Sequence, residues 1–185
     1  HLDKSLADRE FAFTPKDLEL IISASGFVPS RENGVILFGL RGAELVGGPA
    51  QVNKDALRLR DARPDHRAFH CVIGAYHVGR QQLSGFIGST VPNNGSVYTN
   101  WVRHTTGGAP YGNMLVSGCY RYKVGTHVGG VEVPGAFRLQ EDDEVVVLRS
   151  DTDVTYDTLD RWDPCVPHNN LHPSFRSMSF SSAGC

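Results

Sequence analysis

No sign of charge is in excess in this sequence, and several familiar signals are missing. Lysine plus arginine number 18 against 20 for aspartate plus glutamate, a formal net charge of −2, and the basic residues are scattered. Without a basic stripe there is no electrostatic footprint for nucleic acid or an anionic membrane, so neither is expected as a partner. No apolar run approaches the roughly 20 residues of a membrane helix. No stretch joins a basic start to a long apolar centre as a cleavable signal does. The first residue is His1 rather than methionine, which gives the expectation that an amino-terminal segment has been removed or left out. Cysteine is scarce: Cys71, Cys119, Cys165 and Cys185, with no C-x-x-C and no zinc-ribbon spacing. If Cys185 is kept for chemistry, the others permit at most one internal disulfide. There is no internal repeat and no low-complexity tract.

What is present suits one mainly β domain. A chain of 185 residues that is 40% hydrophobic can bury a real core. Its clearest element is "TPKDLELIISASG". Thr14 can cap, Pro15 fits the first helical position, and Asp17 faces the positive end of the dipole. Leu18, Ile21 and Ile22 then share a face, and Gly26 supplies a stop. After it the period turns strand-like. "GVILFGLRG" reads as a buried strand and "RAFHCVIGAYH" as a longer one. "NMLVSGCYRYKVG" alternates, and "AFRLQEDDEVVVLRS" reads as two strands around an acidic turn near Asp142 and Asp143. The 20 glycines and 10 prolines fit the turns such a body needs. Residues 89–112 lack periodicity and read as a long surface excursion.

The candidate chemistry lies in "DRWDPCVPHNNLHPSFRSMSFSSAGC". A cysteine attacks as thiolate, and a nearby histidine can take its proton and stabilise the charge. His172 lies 13 residues before Cys185, enough for a strand, a turn and a return. Gly184 lets backbone approach a substrate closely, so the amides of Gly184 and Cys185 can point at a developing oxyanion. Ser182 can hold the turn with its hydroxyl.

His172 followed by Ser182-Ala183-Gly184-Cys185 resembles the catalytic motif of the L,D-transpeptidase family. Upstream, "GVILFGLRG", "GSTVPN" and "SGCYRYKVGTH" are similar to segments of a divergent branch of it. The resemblance implies an L,D-transpeptidase-like β-sandwich with a short N-terminal helix. Residues 1–26 would be a helical segment packed on a catalytic domain spanning 27–185. It implies Cys185 as nucleophile and His172 as base, acting on peptidoglycan stem peptides. The cysteine would attack the amide after the third residue of a tetrapeptide stem, giving a thioester that an amine or water resolves. No metal or organic cofactor is implied, and the location would be the cell envelope or beyond it. Two departures stand out: the gap from histidine to cysteine is shorter than usual, implying a trimmed loop or a different pairing. Family members also continue past the cysteine, which implies a domain truncated at its C-terminal end.

Other readings of the same residues compete. His104 and Cys119 are 15 residues apart, closer to the family gap, but Ser117 directly precedes Gly118 and the thiol falls in a strand-like run where a half-buried structural cysteine is expected. His66 and His70 in "HRAFH" would stand about 13 Å apart in an extended chain, too far for one ion. "HNNLH" repeats that spacing with His168 and His172. Asp160 or Asp163 could orient an imidazole, although acids in a loop are more often solvated. Arg41 could grip a substrate carboxylate with its planar fork, or form a surface salt bridge. The alternative from another class is a catalytically silent cell-wall-binding module or structural component that keeps the fold.

Overall fold

The computed structural model describes residues 9–31, 34–64, 66–91, 112–128, 132–139, 144–150, 160–165 and 170–171. These residues are mainly β, with antiparallel pairing throughout and one α-helix among them. The chain divides into two compact units. The first comprises residues 1–65 and 69–89, the second 66–68 and 90–185.

The first unit begins with strand β1 (Glu10–Phe13) and helix α1 (Pro15–Ser25). The helix starts where the sequence says it should. The Thr14 hydroxyl accepts the Asp17 amide, while the Asp17 carboxylate accepts the Thr14 amide at 2.8 Å, a complete capping box. It stops at Gly26, whose φ of 68° is the left-handed conformation that glycine adopts without strain. Leu18 and Ile22 are buried. Ile21, expected on the same face, is 45% exposed, because 100° steps carry it past the edge of the stripe.

Strands β2 (Val35–Arg41), β3 (Ala43–Leu45), β4 (Ala50–Lys54), β5 (Leu57–Asp61), β6 (Cys71–His77) and β7 (Gln82–Gly88) complete the unit. They form two sheets, ordered β1-β5-β3 and β2-β6-β7-β4. Phe13, Leu45, Leu57 and Leu59 from the first share one core with Ile36, Val72, Tyr76 and Leu83 from the second, and α1 adds Leu18 and Ile22. "LRLRD" reads as polar, yet alternation puts Leu57 and Leu59 wholly inside with the arginines directed away. The Gln51 side-chain amide acts as an extra peptide group. It donates to the carbonyls of Val46 and Arg58 and accepts the Arg58 amide at 2.9 Å, joining β4 to β5. At Gly74 a Cβ would lie 2.2 Å from the Phe38 ring and 2.7 Å from the Ser84 carbonyl oxygen, so that site admits no side chain.

Two strand expectations change. "GVILFGLRG" is β2, but at the border of its sheet, with Val35 and Leu37 substantially exposed rather than buried. "RAFHCVIGAYH" becomes regular only at Cys71, since residues 66–70 form bends and irregular chain.

The second unit contains β8 (Gly112–Leu115), β9 (Tyr122–Val128), β10 (Glu132–Leu139), β11 (Val145–Ser150), β12 (Arg161–Cys165) and β13 (Asn170–Leu171). They form sheets ordered β13-β10-β9 and β12-β11-β8. The run "NMLVSGCYRYKVG" is not one strand. It breaks at Ser117 and Gly118, where the Tyr120 hydroxyl donates to the Val116 carbonyl at 2.6 Å and closes a turn. The strands expected around Asp142 and Asp143 exist as β10 and β11 but belong to different sheets, and the acidic residues themselves lie outside the described residues.

Candidate functional site

Cys185, His172, Ser182 and Gly184 lie outside the described residues, as do His104 and His168. The described residues do place the other three cysteines, and each has a distinct environment. None is in a disulfide. Cys71 opens β6 opposite Arg41 and Gly88 and is 2% exposed, sealed from reagents. Cys119 is exposed in the irregular segment between β8 and β9, not half-buried within a strand as expected.

Cys165 sits in a small polar cluster. In β12, Asp163 and Cys165 are two apart and so point to the same face of the sheet. The register sets them opposite Val147 and Val145 of β11, and Arg149 lies on that same face. The Arg149 Nε donates to the Asp163 carboxylate, and its Nη2 lies 3.5 Å from the Cys165 sulfur. Burial pushes the Cys165 thiol up from its ordinary value. The Arg149 guanidinium pulls it down, and the charges of Asp163 and Glu144 push it up further. This thiol therefore stays protonated at neutral pH, which is the wrong state for attack. Asp163 is also not a solvated loop acid: it stands in a strand and holds an arginine. Pro164 is tolerated because β12 is a border strand. The i, i+2 spacing in "RWDPC" is the signal that would have revealed the pair, had the segment been read as a strand.

Arg41 is the last residue of β2. The turn after it is fixed by Gly42, whose φ is 73°; its amide donates to the His70 carbonyl and its carbonyl accepts the Ala62 amide, both at 2.9 Å. A Cβ there would meet the Ala62 oxygen at 2.8 Å, so only glycine fits. Arg41 is half-buried and already engaged in an interaction of its own. His70, whose carbonyl receives the Gly42 amide, is fastened on both sides. Its Nδ1 lies 2.5 Å from the Arg63 carbonyl and its Nε2 2.8 Å from the Glu44 carboxylate. With both ring nitrogens facing acceptors, His70 ties β3 to the segment before β6. Among the described residues, no three His, Cys, Asp or Glu side chains gather where they could hold a metal ion. No described helix is long and apolar enough to cross a membrane.

Comparisons with protein-family models, with curated proteins and with solved structures return no match to this chain.

Proposed function

We propose that the protein is a cysteine-dependent acyltransferase or peptidase of the L,D-transpeptidase type, acting on peptidoglycan stem peptides in the cell envelope or outside the cell. The observation that carries the reading is Ser182-Ala183-Gly184-Cys185 with His172 upstream. His172 takes the thiol proton, and the Cys185 sulfur attacks the amide carbon. The amides near Gly184 receive the oxyanion. As the C–N bond breaks, the imidazolium returns its proton to the leaving amine, and the thioester is then resolved by an acceptor amine or by water. Arg41 is the candidate for a substrate carboxylate. Two of the other thiols are disfavoured by their environments, Cys71 because it is sealed in the core and Cys165 because burial pushes its thiol up, while the exposed Cys119 is left to the experiment.

The test is incubation with a synthetic stem tetrapeptide, followed by mass spectrometry of products and protein. The expected result is loss of the terminal residue or a cross-linked dimer, together with an acyl adduct on Cys185. Cys185→Ser abolishes both, and His172→Ala slows turnover by about 10²–10⁴-fold. Cys119→Ser and Cys165→Ser retain activity. An adduct on Cys119, or none on a protein that binds the peptide unchanged, rejects the assignment.

A further inference from the structure

The border of the four-stranded sheet at β2 carries an inference independent of the proposed reaction. Two hydrogen bonds fix which way its peptide groups point. The Val78 amide donates to the Gly34 carbonyl at 2.8 Å, and the Gly42 amide donates to the His70 carbonyl at 2.9 Å. The register is unbroken from Val35 opposite His77 to Arg41 opposite Cys71. Antiparallel ladders alternate bonded and non-bonded pairs, so the even-numbered residues of β2 bond to β6 and the odd-numbered ones direct N–H and C=O outward. Val35, Leu37 and Gly39 therefore present their backbone groups to open space among the described residues. Their side chains share one face with Ala75, Ile73 and Phe86, and Val35, Leu37 and Phe86 are 37%, 42% and 46% exposed.

Sheet borders are normally guarded by charge, proline, irregularity or shortness. The opposite border, β4, has a register shift between Gln51 and Lys54, a left-handed Asn53 at φ 50° and the charge of Lys54. In the other sheets, β1 carries Glu10, β9 carries Lys123, β12 carries Pro164, and β3, β8 and β13 are short. β2 spans Val35–Arg41 without proline or shift, and its one charge is at its last residue.

We propose that β2 pairs with β2 of a second copy of this chain, antiparallel about a two-fold axis at Leu37. Leu37 then faces Leu37 of the second copy, and Val35 faces its Gly39 on both sides of the axis. Bulk lies over empty space, and no charges are opposed. Three bonded pairs give about six main-chain hydrogen bonds. The interface is isologous and occupies this border in both copies, so assembly through it stops at two. A self-complementary, uncharged window favours a second copy over a foreign strand. A single strand pair buries less than about 1,000 Å², so the dimer is weak and concentration-dependent.

Sedimentation velocity of the full chain from about 5 to 500 µM, a range suited to a weak interface, tests this. The mass is expected to climb from 20.2 kDa towards double that value. Leu37→Pro deletes one outward N–H and no bond to β6, and Leu37→Lys sets like charges face to face. Each is expected to weaken dimerisation at least about tenfold with an unchanged thermal melt. Two variants ensure that a folding defect in one still leaves a reading. A wild-type chain that stays monomeric to the highest concentration overturns the proposal, including the case in which it binds an added extended peptide. So does a dimer that persists undiminished in either folded variant.

Discussion

Thr14 and Asp17 show how much one pair of side chains can decide. The Thr14 hydroxyl donates to the Asp17 carboxylate at 2.6 Å, and that bond, followed by the one from the Thr14 amide, holds the Asp17 carboxyl below its ordinary value. A carboxylate lowered in the folded state stabilises the protein above the unfolded value of about 3.9, and the benefit fades as pH falls through the lower folded value. Thr14→Ala removes the acceptor of the Asp17 amide and the hydroxyl that donates to the Asp17 carboxylate, leaving the bond from the residue-14 backbone amide. It is expected to cost about 1 kcal/mol at pH 7, with the gap from wild type narrowing below about pH 4. Thermal melts of the two proteins at pH 7 and pH 3 measure both numbers; a gap independent of pH would show that the carboxylate is not involved.

At the scale of elements, legibility followed the strength of local signals. Helix α1 was plain in the sequence because cap, proline, stripe and glycine all act within the helix itself. β2, β6, β10 and β11 were visible as runs of β-forming residues. β1, β4, β5 and β7 were not, since each is short or interrupted by charge, glycine or serine, and its regularity comes from a neighbour's ladder. The same gap hid the Arg149, Asp163 and Cys165 cluster, which exists only once β12 pairs with β11. Cysteine and histidine positions made the C-terminal chemistry readable, but no spacing could tell which thiols are silenced by burial. The cluster makes two opposite predictions for the pH–rate profile of Cys165 alkylation. Asp163→Asn removes a negative charge and brings the rate rise to lower pH, whereas Arg149→Leu removes the stabilising cation and delays it. Following Cys165 in a chain that carries serine at Cys119 and Cys185 isolates the signal, and shifts of the same sign would refute the electrostatic account.

At the scale of the whole molecule, the two compact units each have wholly buried residues of their own. In the first, Leu59 is fully buried at the junction of β1, β3 and β5. In the second, Val147 is fully buried in the middle strand of β12-β11-β8. Contacts concentrated within each unit make each a candidate cooperative block. Calorimetry is therefore expected to resolve two transitions, or one asymmetric transition that fits two. Leu59→Ala leaves a cavity costing about 2–5 kcal/mol, and should lower one transition while leaving the other in place. Val147→Ala loses less buried volume and should lower the other by a smaller amount. Equal displacement of both transitions by either substitution would mean that the chain unfolds as one block.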